Sequence, residues 1–252
     1  MSTQMRVRPA VRAANLTKTY GTGDATVVPL KNLSIDFAAG AFTAVMGPSG
    51  SGKSTLMHVL AGLDSADSGT VTLTHDDGAT IELTGLGEKE LTRVRRERIG
   101  FIFQAYNLVP AMTAEENILL PASLGGAATD RLFFEMVIDR LGLTDRLHHR
   151  PFELSGGQQQ RVAVARALVS KPAVIFADEP TGNLDSRTGA EVLGLLRTAV
   201  DEFGQTVVMV THDVNAAAGA DSTVILNDGR VVDQLQDPTA ELLAARMIEV
   251  AK

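Results

Sequence analysis

The sequence predicts an α/β fold: a largely parallel sheet with helices on its faces, an antiparallel β segment ahead of it, and a helical insert in the middle. Three observations carry that expectation. An apolar run, Phe42 to Met46, passes through Gly47-Pro48-Ser49-Gly50-Ser51-Gly52-Lys53-Ser54-Thr55 into a helix-like segment, Lys53 to Leu60. Two further apolar runs, Val174 to Ala177 and Val207 to Val210, have the length of strands buried on both faces, as in a parallel sheet. Residues 114–169 are dominated by helical patterns, so a mostly helical insert interrupts the β/α alternation.

The glycine-rich stretch fits the pattern Gly, any four residues, Gly-Lys and Ser or Thr, and it stands between a strand and a helix as a phosphate loop must. Glycine lets the backbone curl so that successive N–H groups point inward at phosphate oxygens. The helix starting at Lys53 adds its unpaired amides and the positive end of its dipole. Lys53 would neutralise the β- and γ-phosphates, and Ser54 would offer a hydroxyl to Mg²⁺. A chance glycine-rich turn is the alternative; the flanking strand and helix argue against it.

Composition narrows the function classes. With 252 residues, 44% hydrophobic and 21% charged, the chain has the balance of a globular protein. No apolar run approaches the roughly eighteen residues needed to span a bilayer, so any membrane role is expected to come through a partner. Arg6, Arg8 and Arg12 are not followed by the apolar core of a signal peptide, and a cytoplasmic location is expected. There is no cysteine, which removes disulfides, thiolate metal sites and cysteine nucleophiles. A net charge of −7 argues against nucleic acid as a partner. The basic cluster Arg93, Arg95, Arg96 and Arg98 is interleaved with Glu88, Glu90 and Glu97, which reads as a solvated helix face.

Taken in order, residues 11–37 hold short β-like runs broken by Gly21-Thr22-Gly23-Asp24, and Leu33 to Phe37 alternates apolar with polar. Tyr20 stands just ahead of that turn, and position alone reads it as strand packing. A β-rich stretch, Gly69 to Leu83, precedes a charged helix at Glu88 to Arg96 and a strand, Ile99 to Phe103, which ends at Gln104. Asn107 to Met112 reads as a loop, and Thr113 with Glu116 as a capping box. In Leu154-Ser155-Gly156-Gly157-Gln158, Ser155 is a good N-cap. Two glycines are more than a cap needs, and suggest that a ligand approaches the backbone closely.

The run ending in Asp178-Glu179 aims two acids at the carboxyl edge of a parallel sheet, where ligands bind. Asp178 is placed for Mg²⁺ and Glu179 to take a proton from an attacking water. Val192, Leu195, Leu196, Ala199, Val200 and Phe203 form an apolar helix stripe. His212 follows a third buried strand, Thr206 to Val210, at the same edge, which points to a phosphate contact. Residues 222–235 read as a hairpin around Asn227-Asp228-Gly229-Arg230, and 238–250 as a terminal helix. His58, His75, His148 and His149 lack ligand-like company.

Together these residues resemble the ATP-binding cassette ATPases. The 47–55 stretch is similar to their Walker A loop, Gln104 to the Q-loop, LSGGQ at 154–158 to the signature, and residues 174–179 to the Walker B strand. Asn183-Leu184-Asp185 resembles the D-loop and His212 the switch histidine. The resemblance reassigns Tyr20 as the aromatic that stacks on adenine. It covers residues from about 11 to 235. It implies a RecA-like phosphate-loop NTPase core, about 11–103 and 171–235, a helical subdomain at about 104–170 and a C-terminal helix, in a single nucleotide-binding domain.

Further phrases, residues 104–110, 113–118 and 179–186, are similar to the lipoprotein-releasing, macrolide-export and cell-division subgroup; the stretch Thr74 to Leu83 is longer than usual for the family. The resemblance implies ATP and Mg²⁺ as cofactors, the latter held by Ser54, Gln104 and Asp178. It implies ATP hydrolysis with Glu179, His212, Lys53 and Gln104 in the catalytic centre. Two copies would close head to tail, with Ser155, Gly156, Gly157, Gln158 and Asp185 completing the partner's site. A membrane permease would dock near Tyr106 to Pro110 on the inner face of the membrane. Cassette ATPases acting on nucleic acid or ribosomes, and importer ATPases, are the rival readings. The former typically carry long coiled coils or two cassettes in one chain, and this sequence has neither.

Overall fold

The computed structural model describes residues 8–75, 78–125, 129–182 and 184–250. Arg6 and the D-loop residue Asn183 lie outside the described residues. Two sheets organise the chain. The first is antiparallel, in the order β2 (Val27–Ala38), β1 (Pro9–Tyr20), β4 (Ser68–Thr74) and β5 (Thr80–Glu82). In β2, Leu33, Ile35 and Phe37 are buried while Ser34 and Asp36 face solvent, as their alternation requires. In the stretch ahead of Leu83, Thr80–Glu82 adds β5 as the edge strand.

The second sheet is ordered β10 (Arg230–Gln236), β9 (Ser222–Asn227), β3 (Phe42–Met46), β8 (Val207–Val210), β7 (Val174–Asp178) and β6 (Ile99–Phe103), with only β10 antiparallel to its neighbour. Its central strands read as unbroken apolar runs because each faces two cores. Ile175 and Ala177 of β7, with Val207 and Met209 of β8, join the core under the helices. Val174, Phe176, Val208 and Val210 join the core against the antiparallel sheet and α1 (Lys53–Leu60). Asp228 and Gly229, with φ of 45° and 74°, make the tight turn between β9 and β10 that the hairpin reading requires.

Register decides what lies together. Phe103 pairs with Asp178, Asp178 with Val210, and Val45 with Val210. The carboxyl ends of β3, β6, β7 and β8 therefore share one edge, and the phosphate loop, Gln104, Glu179 and His212 all leave from it.

Between β6 and β7 run α3 (Ala114–Gly125), α4 (Arg131–Arg140) and α5 (Gly156–Val169). The capping box forms: the Thr113 N–H donates to Glu116 Oε2 at 2.8 Å, and the Glu116 N–H to Thr113 Oγ1 at 3.2 Å. The Asn117 side chain, fully buried, holds the 107–112 loop by bonding Val109 N–H and the carbonyls of Val109, Met112 and Thr113. The basic cluster on α2 (Glu88–Arg98) departs from the sequence reading. Arg93 pairs with Glu97 in solvent, but Arg95 and Arg96 fold inward to the carbonyls of Gly62 and Leu124. Those arginines tie helices together rather than coat a free face. Helices α6 (Ser186–Asp201), α7 (Val214–Ala217) and α8 (Ala240–Val250) complete the layer. Val192, Leu196, Ala199 and Val200 of α6 are buried, and Leu195 and Phe203 pack partly buried at the margin of the same core. Among the described residues no helix is long and apolar enough to cross a membrane.

Candidate functional site

The phosphate loop closes on its own lysine. Lys53 Nζ donates to the carbonyls of Gly47 at 2.8 Å and Pro48 at 2.9 Å. Gly52, the residue before α1, has φ of 99°, and a side chain there would run into the Pro29 carbonyl; one at Gly47 would run into Leu226. Only glycine fits at either point. Ser49 and Gly50 form the exposed tip, while the Ser51 hydroxyl is buried with no hydrogen-bond partner in the loop as it stands. Gly50, Gly52, Lys53, Ser54 and Thr55 line a cavity of 270 Å³ with Tyr20, Val27 and Pro29. Tyr20 thus stands beside the phosphate loop and is 42% exposed as a residue, against the packing reading.

At the ends of β7 and β8, Glu179 and His212 meet: His212 Nδ1 lies 2.8 Å from Glu179 Oε1. Thr211 Oγ1 donates to Glu179 Oε2 at 3.4 Å. The Glu179 backbone has φ of 44°, an unfavourable region for a side chain. It is held there by its N–H on Val210 O at 2.9 Å and by Gly182 N–H on its carbonyl at 3.0 Å. Burial pushes the Asp178 carboxyl above the usual range; His58 and Lys53 pull it down and Glu179 pushes it further up. Burial lowers the Lys53 ammonium, against the pull of Glu179 and Asp178. Gln104 leaves β6 at the same edge, beside Gly182.

The signature residues lie elsewhere. Ser155 caps α5, accepting from the Gln158 N–H, while Gln158 Oε1 accepts from the Ser155 N–H at 2.9 Å. Ser155, Gly156, Gly157 and Gln158 line a second cavity of 540 Å³ with Tyr106, Leu184 and Asp185. Asp185 caps α6 by accepting from the N–H groups of Arg187 and Thr188. The two cavities share no lining residue. The structure therefore brings Tyr20, residues 47–55, Gln104, Asp178, Glu179 and His212 to one neighbourhood and sets 155–158 and Asp185 apart.

Of the stretch Tyr106 to Pro110, Tyr106 turns to the signature cavity, while Asn107 reaches a separate apolar groove lined by Phe101, Phe103, Leu120 and Leu124. Sequence reasoning missed His58, which lies along α1 close enough to bear on Asp178, and Thr211. It also missed Lys18 and Asp64, which bond around Tyr20. A lysine two residues before the tyrosine on one strand was the available signal; Asp64 gave none.

A family model described as ABC transporter matches residues 30–182. MJ0796, an uncharacterized ABC transporter ATP-binding protein of Methanocaldococcus jannaschii, is 42% identical over 228 residues, which cover 88% of this chain and 94% of that protein. The macrolide export ATP-binding/permease protein MacB of Paracoccus denitrificans is 49% identical over 226 residues, 89% of this chain and 33% of that protein. MacB of Marinobacter nauticus is 42% identical over 97% of this chain and 37% of its own length. The chain thus spans about a third of the macrolide-export relatives. Among solved structures, a dimeric post-hydrolysis state of the cassette MJ0796 bound to ADP and Pi matches with a TM-score of 0.77 at 40% identity, covering 90% of this chain and 99% of that one. The cbiO1 structure from Clostridium perfringens, part of the ABC transporter complex cbiONQ, gives a TM-score of 0.79 at 26% identity over 95% and 92% of the two chains. The chain belongs to the ABC transporter family and has the fold of an ATP-binding cassette.

Proposed function

We propose that this cassette hydrolyses ATP between two copies of itself and drives a membrane permease of the export or lipoprotein-releasing kind from the inner face of the membrane. The observation that carries this is the separation of the phosphate-loop cavity from the signature cavity within one chain. A γ-phosphate on Lys53 leaves the amides of Gly156 and Gly157 unused unless a second copy presents them. The solved MJ0796 cassettes are dimeric, which supports a pair of copies as the working form. The MacB relatives support a permease, since by their names they unite the ATP-binding part with one.

In this reading the whole chain is one nucleotide-binding domain, with residues 104–170 as its helical subdomain. Tyr20 stacks on adenine, and the 47–55 loop wraps the phosphates. The donors near them suit Mg²⁺: the Ser54 hydroxyl, the Gln104 amide and the half-buried Asp178 carboxylate are hard oxygen ligands, few enough to leave room for phosphate oxygens. Bound there, Mg²⁺ would neutralise charge on the β- and γ-phosphates. Glu179 accepts the proton of the attacking water, and His212 and Thr211 fix the carboxylate's orientation. Asp185 and Ser155 to Gln158 serve the opposite copy.

Sedimentation of Glu179→Gln with ATP and Mg²⁺ tests the reading. A stable dimer that Ser155→Arg abolishes is expected. A monomer at saturating ATP with hydrolysis blocked overturns it.

A further inference from the structure

Two side chains away from the phosphates, Lys18 and Asp64, hold the ring of Tyr20. Lys18 and Tyr20 stand two residues apart on β1, so they leave the same face of the strand. Asp64 comes from the turn that ends α1, where its N–H donates back to the His58 carbonyl at 3.2 Å. The carboxylate of Asp64 accepts from both neighbours: Oδ1 from Lys18 Nζ at 2.8 Å and Oδ2 from the Tyr20 hydroxyl. Lys18 Nζ also donates to the Ser65 carbonyl at 2.7 Å and lies over the Tyr20 ring, 5.0 Å from its centre. Lys18 is buried, at 7% exposure, although nothing about its place in β1 demands a lysine. One ring face of Tyr20 is thereby covered by an ammonium, and the exposed part of the ring lines the phosphate-loop cavity.

We infer that Lys18 and Asp64 are positioning residues for the nucleotide base: they lock the Tyr20 ring onto α1, the helix whose first residues hold the phosphates. This rests on the reading of Tyr20 as the adenine platform and deepens it. A loose tyrosine would have to be ordered at the moment of binding, and affinity would carry that entropic cost. Held by Asp64, the ring is set before ATP arrives, and the base and triphosphate meet one rigid frame. The alternative is that the trio merely fastens β1 to the turn after α1. The two differ in what they do to a ligand that has no base.

The test compares the affinity of the full chain for ATP with that for inorganic tripolyphosphate, both with Mg²⁺, in Tyr20→Phe, Asp64→Ala, Tyr20→Ala and the double variant Tyr20→Ala/Asp64→Ala. Tyr20→Phe keeps the ring and deletes the hydroxyl that Asp64 holds, so it keeps the test alive should Asp64→Ala fold poorly. Expected is a loss of ATP affinity of about 3- to 10-fold in Tyr20→Phe and Asp64→Ala. Tripolyphosphate affinity should stay within about twofold, and KM for ATP should rise with kcat nearly unchanged. The double variant should bind ATP no more weakly than Tyr20→Ala, because Asp64 acts through the ring. Equal losses for both ligands, no loss for either, or additive losses in the double variant overturn the inference while leaving Tyr20 as platform. Unchanged ATP affinity in Tyr20→Ala overturns both.

Discussion

Glu179 shows how a single residue carries strain for a purpose. Its left-handed backbone costs about 1–2 kcal/mol for a residue with a side chain. The backbone bonds to Val210 and Gly182 hold it, and the result is a carboxylate turned toward His212 rather than along β7. Glu179→Gln keeps the shape and removes the proposed base, so turnover is expected to fall about 10²- to 10⁴-fold with ATP affinity intact, read by phosphate release and nucleotide titration. Asp64 makes the complementary case in pH. Burial pushes its carboxyl up, but the Lys18 and Tyr20 hydrogen bonds win and hold it below the usual range. A depressed folded-state value means that its contribution is complete above the ordinary carboxylate pKa and is lost only as pH falls through the lowered one. The ratio of ATP affinities between the parent chain and Tyr20→Phe is therefore expected to stay flat from about pH 8 to pH 5. A ratio that collapses near pH 6 would remove Asp64 from the platform.

At the scale of elements, the first turn of α5 is a helix cap and, in the proposed reading, a contact for the opposite copy's nucleotide, and the two roles can be separated. Ser155 accepts from the Gln158 N–H as an ordinary cap, as Thr113 does from the Glu116 N–H ahead of α3. Removing either hydroxyl by alanine should cost about 1 kcal/mol, a melting shift of roughly 2–4 °C in a chain of this size. Only Ser155→Ala should also lose ATP-driven dimerisation and turnover; equal activity in the two variants would make Ser155 a cap and nothing more. The caps, the buried strands and the phosphate loop were legible in the sequence because each is a local pattern: a spacing of three, a run of apolar residues, a glycine code. What was not legible depends on elements remote in the chain. The inward turn of Arg95 needs the Gly62 carbonyl, 33 residues earlier, and the pinning of Tyr20 needs Asp64, 44 residues later. Within the stretch Tyr106 to Pro110, near which a permease is expected to dock, backbone φ values of 56° and 49° at Tyr106 and Asn107 turn Tyr106 toward Gly156. No periodicity announces two consecutive left-handed residues without glycine.

Over the whole molecule, that same turn joins the apolar groove to the signature cavity. The groove lies between α2, β6, α3 and α5, its floor made by the parallel rings of Phe101 and Phe103, 5.5 Å apart. Arg166 of α5 lines it and donates to the carbonyls of both left-handed residues, to Asn107 at 2.6 Å and Tyr106 at 2.9 Å. A partner pressed into the groove therefore bears on the guanidinium that fixes Tyr106, whose hydroxyl lies against Gly156. Lysine retains the charge but cannot serve two carbonyls with a planar fork. For Arg166→Lys we expect ATP affinity and the basal turnover of the cassette alone to stay within about threefold, while stimulation of turnover by the proposed permease partner, once reconstituted, falls at least about tenfold. Stimulation that survives intact would mean that load on the groove reaches the signature by another route, through α3 and its buried Asn117 rather than through the Arg166 clamp.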